Sequence, residues 1–152
     1  MVSGMANFPV QLSESILLHA QVGQDSCSLR RELYFIKKDK LEMYLSTDQL
    51  KCVFWVNIYN AYSLIMADEG VQTAEAYKRK RIKVAHTAFS LDDIEFKILR
   101  INDRNPLYKF IDNLFCCSYI RKLAVKEVDY SLQSMLDRTA LAKGLSKYRS
   151  SI

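Results

Sequence analysis

The sequence predicts one compact, mainly helical α+β domain, and three observations lead to that fold class. The 152 residues are 49% hydrophobic and 26% charged, which is the composition of an ordinary globular domain. Residues 47–68 form a helical pattern that is apolar on nearly every face, as expected of a central buried helix. A short alternating stretch beginning at Ile82 predicts a small strand pair. We therefore expect a single domain over residues 1–152.

Two helices are predicted before the central one. Residues 12–21 carry an apolar stripe, and Gly23 follows as a helix stop. Residues 26–36 have apolar side chains at helical spacing, and the charged residues 37–40 turn the chain. A further helical turn is expected over residues 41–45.

The central helix has clear predicted ends. Ser46 and Gln49 match the S-x-x-Q capping box, in which each side chain accepts a hydrogen bond from an otherwise unpaired backbone N–H. Gly70 is placed to end the helix in the left-handed conformation. The pattern predicts a helix from Thr47 to Asp68.

A strand pair and further helices complete the prediction. After a short helix over residues 73–80, Ile82 and Val84 alternate with polar neighbours, and His86-Thr87 is the predicted turn of a hairpin. Ser90 is a predicted helix cap, with two aspartates in the following first turn. Four apolar residues of that helix are expected to face the core: Leu91, Ile94, Ile98 and Leu99. Residues 102–106 are expected to form a loop, residues 107–114 and 119–124 less regular helical pieces, and residues 132–143 a last helix ended by Gly144.

Composition argues against several classes of protein. Residues 1–8 lack the basic and apolar regions of a secretory signal, and no run of 18 apolar residues predicts a membrane span. The four cysteines form no C-x-x-C pair, and His19 and His86 lie far from them in sequence, so neither a metal site nor a cofactor is expected. Free thiols favour a reducing compartment, and we expect a cytoplasmic location.

The net charge of +5 is concentrated in the basic run at residues 78–83. Such a run can hold phosphates, but it has no interleaved aromatic residues. A solvated helix end explains it better, because cations suit the negative end of a helix dipole. Nucleic acid is therefore not an expected partner.

Two motifs resemble a known family. Residues 54–61 read F-W-V-N-I-Y-N-A, and residues 89–95 read F-S-L-D-D-I-E, followed by Ile98-Leu99-Arg100. Both resemble motifs of the family called domain of unknown function 547, in the same order and at similar separation. The resemblance covers about residues 10–130 and identifies the chain as a shortened, divergent member.

The chain departs from the family pattern at two places. Phe96 stands where members usually carry histidine, and residues 131–152, a predicted divergent C-terminal helix, lack the family's cysteine-containing motifs. The resemblance then implies a non-catalytic or interaction module that has lost part of the family pocket. The alternative is a hydrolase-like enzyme, through a distant papain-like or transglutaminase-like relation, with a polar pocket around Asn57, Asn60 and Glu95.

The candidate pocket residues each allow two interpretations. Asn57 and Asn60 lie on neighbouring parts of one helix surface, where they either orient a substrate or satisfy the protein's own backbone. Trp55 and Tyr59 belong to an aromatic stripe that is either core packing or a stacking wall for a ligand. Asn60 or Arg100 is the expected polar partner of the tyrosine hydroxyls.

Glu95 and His86 are the candidate catalytic residues. Glu95 would act as a general base or orient one, and His86 is the histidine available to replace the missing imidazole. A catalytic role of His86 requires Glu95 or a cysteine within hydrogen-bond reach, roughly 3 Å. Among the thiols, Cys27 at a helix start is better placed for reactivity than Cys52, although neither has a histidine nearby in sequence.

The divergent C-terminus also bears on partners. If the family's missing strand normally pairs with residues 82–85, its absence leaves an unpaired edge or an exposed apolar patch in the second half of the chain. We therefore expect a homodimer or another protein partner.

Overall fold

The computed structural model of the chain describes residues 7–71, 73–101 and 118–136, and it confirms the mainly helical α+β class. In chain order the elements are α1 (Phe8–Gln21), α2 (Cys27–Phe35), α3 (Lys38–Tyr44), α4 (Asp48–Asp68), α5 (Thr73–Lys78), β1 (Ile82–Val84), β2 (Thr87–Phe89), α6 (Asp93–Ile98), α7 (Ser118–Leu123) and a 3-10 helix (Tyr130–Ser134). The strands β1 and β2 are antiparallel, with Ile82 opposite Phe89. None of the helices in these ranges has both the length and the apolar content needed to cross a bilayer.

Helix α4 is the centre of the core, as predicted. Phe54, Trp55, Ile58 and Tyr59 are completely buried, and α1 packs along the helix. The expectation of an apolar surface buried on every side is wrong at Val53, which is 39% exposed. The helix therefore has one side that the rest of the described fold leaves open.

The predicted capping box at the start of α4 is wrong. Thr47, not Ser46, is the cap, and its Oγ1 accepts a hydrogen bond from the Leu50 N–H at 3.2 Å. The backbone is extended at Thr47, which makes Thr47 the last non-helical residue and puts Ser46 one position too early. The other end is as predicted, because Gly70 has a φ of +71°.

Two helices are longer than the sequence patterns predicted. Helix α1 begins at Phe8, since the Asn7 side chain accepts a hydrogen bond from the Val10 N–H and Pro9 fits the first turn. Helix α3 begins at Lys38 instead of residue 41. Asn7 also donates to the Tyr44 carbonyl at 2.7 Å, which joins the start of α1 to the end of α3.

The hairpin forms, but its turn lies one residue earlier than predicted. Ala85 and His86 are the turn residues, and both have positive φ, as a type I′ turn requires. Their N–H groups donate to the carbonyls of Leu33 and Tyr34, at 3.0 and 2.9 Å. These carbonyls lie in the last turn of α2, where a helix leaves acceptors unpaired, so the two elements satisfy each other.

The segment after the hairpin begins as predicted and then departs from an ordinary α-helix. Ser90 Oγ accepts a hydrogen bond from the Asp93 N–H at 3.0 Å, and the Asp93 carboxylate accepts one from the Ser90 N–H at 2.9 Å. The expected core residues are all completely buried: Leu91, Ile94, Ile98 and Leu99. However, α6 has π-helical geometry, a rare form that is frequent at functional sites.

The predicted last helix is also different. Its first described residues belong to the 3-10 helix Tyr130–Ser134, whose start is capped by the Asp129 side chain. The rest of that predicted helix lies outside the described residues, as do the predicted loop over residues 102–106, the helical piece over residues 107–114, and the pair Cys116-Cys117.

Candidate functional site

The start of α4 binds the backbone of the C-terminal segment, residues 124–135. The Asp48 carboxylate accepts hydrogen bonds from the N–H groups of Lys126 and Glu127, both at 2.9 Å. The Lys126 N–H contributes most to holding the pKa of Asp48 below its ordinary value. One turn further on, Lys51 donates to the Ala124 carbonyl at 3.0 Å. One carboxylate and one ammonium group thus hold three residues: Ala124, Lys126 and Glu127.

Two of the predicted pocket residues also bind this segment. Arg100, exposed and with a φ of +56°, donates to the carbonyls of Val125 and Lys126 at 3.2 and 3.1 Å. Asn60 donates to the Met135 carbonyl at 3.0 Å. Both donors bind backbone acceptors of the same chain. The two family motifs, one containing Asn60 and the other containing Arg100, therefore meet in a contact that stabilises the fold.

Asn57 lies on a neighbouring part of the α4 surface but contacts α1. Its side-chain amide donates to Ser13 Oγ at 3.2 Å, and that hydroxyl donates to the Val10 carbonyl at 2.6 Å. Ser13 is completely buried. The amide thereby gives the buried Ser13 hydroxyl a hydrogen-bond partner at the interface between α1 and α4, as buried polar groups require.

The aromatic stripe of α4 is part of the core. The Trp55 ring meets Phe54 and Phe89 edge to face, with centroids 4.9 and 5.2 Å apart. Tyr59 is equally buried. Tyr62, three residues after Tyr59, has Arg30 beside its hydroxyl, whereas Asn60 or Arg100 was the expected partner of the tyrosines. Burial raises the pKa of Tyr62, and Arg30 opposes that effect.

Glu95 is deeply buried, with 3% of its surface exposed, within the π-helical α6. Its carbonyl accepts a hydrogen bond from the Ile101 N–H at 2.9 Å. Asp93, two residues before it, forms ion pairs with Lys80 and Lys97 at 3.1 and 3.2 Å. Burial alone raises the pKa of Asp93, but the Ser90 N–H and the two lysines outweigh it and leave the pKa below its ordinary value.

His86 is exposed in the turn of the hairpin. Its ring packs against those of Tyr34 and Phe35, with centroids 5.2 and 5.8 Å apart. In the described part of the chain its imidazole forms no hydrogen bond. The structure therefore does not join the two candidate catalytic side chains, Glu95 and His86, by a direct contact.

The two described cysteines differ in environment. Cys27 is exposed at the first residue of α2, where Arg30 Nη2 lies 3.3 Å from its Sγ. Cys52 is half-buried, and burial, followed by Asp129 and Asp48, raises the pKa of its thiol. Across residues 7–71, 73–101 and 118–136, no group of three or more His, Cys, Asp or Glu side chains could hold a metal ion.

The basic run is largely neutralised by the protein's own carboxylates. Arg81 pairs with Glu69 at 2.6 Å, and Arg79 pairs with Glu75 at 3.6 Å. Lys80 pairs with Asp93, as described above. This arrangement agrees with the interpretation of the run as an exposed charged surface.

Sequence reasoning missed a surface cavity beside α2. It has a volume of about 630 Å³ and is lined by Asp25, Cys27, Ser28, Arg31, Glu32 and Phe35. A signal was present in the sequence, because Ser28, Arg31, Glu32 and Phe35 recur at i, i+3, i+4 and i+7 and so share one helix face. The apolar stripe on the other face of α2 is the stronger pattern in the sequence.

Comparison with known proteins gives the family and no individual relative. A search of curated proteins and a search of solved structures found no match. The model of the family described as protein of unknown function, DUF547, matches residues 44–142. That range contains α4, the hairpin, α6 and the contacts to residues 124–135. Because the match covers more than half of its 152 residues, the chain belongs to the DUF547 family.

Proposed function

We propose that this chain is a non-catalytic interaction domain, in which the family motifs build the fold. The observation that carries the proposal is that three predicted pocket side chains donate to the chain's own acceptors. Asn57 binds Ser13, Asn60 binds the Met135 carbonyl, and Arg100 binds two carbonyls of residues 125–126. Donors engaged in this way stabilise the native packing and are less available to a substrate.

Burial of the aromatic residues supports the same proposal. A stacking wall must present a ring face to a ligand, whereas Trp55 and Tyr59 are enclosed by core residues. His86, in turn, is exposed and packs on aromatic rings rather than near a carboxylate partner. Large apolar side chains remain on the surface, among them Phe35 and Met43, and such side chains are suited to protein contacts.

The test is the effect of the motif residues on stability. Asn60→Ala and Arg100→Ala should each lower the free energy of unfolding by about 1 kcal/mol, because each removes a hydrogen bond to backbone. Lys40→Ala, an exposed lysine of α3, is the matched control and should change it by less than about 0.5 kcal/mol. Urea unfolding measures all three variants.

Side chains kept for catalysis behave differently, since their removal often leaves stability unchanged or increases it. Equal or higher stability in both Asn60→Ala and Arg100→Ala would therefore argue against the structural role. The variants also need unchanged far-UV circular dichroism, so that the comparison refers to the same fold.

A hydrolase-like activity is the second candidate, and one observation favours it. Glu95 is a buried carboxylate within a π-helical segment, and both features are common where a protein positions a reactive group. Purified chain would be assayed against a panel of amide and ester substrates. Hydrolysis that Glu95→Gln abolishes and Lys40→Ala retains would establish this alternative over the non-catalytic one.

We also propose a cytoplasmic location. Cys27 is an exposed free thiol and Cys52 is a second free thiol, and such cysteines persist in reducing compartments. Fractionation of cells that express the tagged full-length protein tests this, and recovery in an extracytoplasmic fraction would contradict it.

A further inference from the structure

One face of α2 carries charges that the described part of the chain does not neutralise. Ser28, Arg31, Glu32 and Phe35 are all exposed on this outer face of α2, and Phe35 is 58% exposed. Neither Arg31 nor Glu32 forms an ion pair with any residue of the described ranges. Adjacent helix positions point about 100° apart, so these two side chains cannot satisfy each other.

We propose that the outer face of α2 binds a second copy of this chain, with the two α2 helices antiparallel about a two-fold axis. The inference rests on the proposed interaction function and names its partner. When the axis passes between positions 31 and 32, Arg31 lies opposite Glu32 of the partner subunit. The same symmetry places Phe35 opposite Ser28 of the partner subunit.

Charge complementarity selects a second copy over a different protein. In a two-fold interface the same patch is used by both subunits, so it must complement itself. One charge of each sign beside the axis meets this condition twice, through Arg31 with the partner subunit's Glu32 and through the reverse pair. A purely basic or acidic patch would repel its own copy.

The shape of the outer face fits this arrangement. Phe35 at one end of α2 and the small side chains of Cys27 and Ser28 at the other end line the same surface cavity of about 630 Å³. Antiparallel pairing places each phenyl ring near the small side chains of the other subunit. The Tyr34 and His86 rings, which contact or adjoin Phe35, widen the apolar area around that anchor. Aromatic residues and arginine are the side chains that most often dominate interface energy.

The size of the face sets the expected affinity. A helix of nine residues is about 13 Å long, so this contact buries less than the roughly 1,000 Å² that a stable interface needs. The dimer is therefore weak and reversible, and its population rises with protein concentration.

Sedimentation equilibrium on the full chain tests the proposal, because it measures the association constant directly. Wild type should show a monomer–dimer equilibrium over two decades of concentration up to about 1 mM. Arg31→Glu and Glu32→Arg should each weaken association by about tenfold or more, since each places like charges opposite each other at two positions. The double variant R31E/E32R restores both pairs with exchanged signs and should recover most of the lost association.

Recovery in the double variant is the decisive result, because simple loss of a surface charge predicts no recovery. Lys40→Glu is the control for charge reversal elsewhere and should leave association unchanged. Phe35→Ala should also weaken association, and circular dichroism verifies that each variant is folded.

Two results would overturn the proposal: wild type that stays monomeric up to about 1 mM, or a double variant as weak as the single ones. Neither would affect the urea measurements on Asn60→Ala and Arg100→Ala. The proposed function and this choice of partner can thus fail separately.

Discussion

Two polar regions of the molecule use their side chains in opposite ways. The first is the contact of α4 and Arg100 with residues 124–135, and the second is the outer face of α2. In the first, Asp48, Lys51, Asn60 and Arg100 each meet a backbone group of the segment at 2.9–3.2 Å. In the second, Arg31 and Glu32 point to solvent with no ion pair in the described structure.

The difference separates side chains that stabilise the fold from side chains that are available to another molecule. Polar groups that face backbone acceptors within the fold stabilise one conformation and have little capacity left for a ligand. Exposed charges beside an exposed phenyl ring stabilise the monomer little, but they are available to another molecule. A residue that matches a family motif can thus be structural, while the binding surface that we propose, the outer face of α2, lies outside residues 44–142.

The largest expected effect contrasts the core of α4 with the outer face of α2. Trp55→Ala should lower the free energy of unfolding by about 3–5 kcal/mol, because it leaves a large cavity beside Phe54 and Phe89. Phe35→Ala, with its ring mostly in water, should lower it by less than about 0.5 kcal/mol. Urea unfolding at low protein concentration measures both. A loss at Phe35 as large as the loss at Trp55 would remove the distinction between the two regions.

A smaller effect concerns the carboxylate that holds residues 126–127. Asp48→Ala should lower the free energy of unfolding by about 1–2 kcal/mol, since two charge-assisted hydrogen bonds to backbone N–H groups are lost. Hydrogen exchange should show faster exchange at the Lys126 and Glu127 amides. Asp39→Ala is the matched control, because Asp39 also lies in a first helical turn but binds no such segment. If both variants behave alike, the helix dipole alone explains the role of Asp48.

The smallest expected effect is on stability in acid. The pKa values of Asp48 and Asp93 are lower in the folded protein than their ordinary value of 3.8, so both carboxylates stabilise the fold while they are ionised. That contribution is complete above the unfolded pKa and is lost as the pH falls through the folded pKa, so stability should fall below about pH 4.

Asp93→Asn should reduce this acid dependence by less than about 1 kcal/mol, because solvent screens both lysine partners. Urea midpoints at several values between about pH 6 and about pH 3 measure the slope. An unchanged slope in Asp93→Asn would show that the Lys80 and Lys97 pairs do not stabilise the fold.

The features that the sequence predicted correctly are local. Helical periodicity located α4 and its burial, Gly70 marked its end, and Ser90 marked the start of the helical turn that leads into α6. Alternation at Ile82 and Val84 located the strand pair. Each depends on neighbouring residues, because hydrogen bonding in a turn and side-chain periodicity act over a few positions.

By itself, the sequence determined the fold class, the central helix and the family motifs. Only the tertiary structure decided what the polar side chains bind, since Asn60 meets a carbonyl 75 residues away and Asp48 meets amides 78 and 79 residues away. The carbonyls of α2 likewise hold the turn at Ala85 and His86, where no glycine is present. Such contacts depend on how helices and loops pack together, and local periodicity carries no information about them.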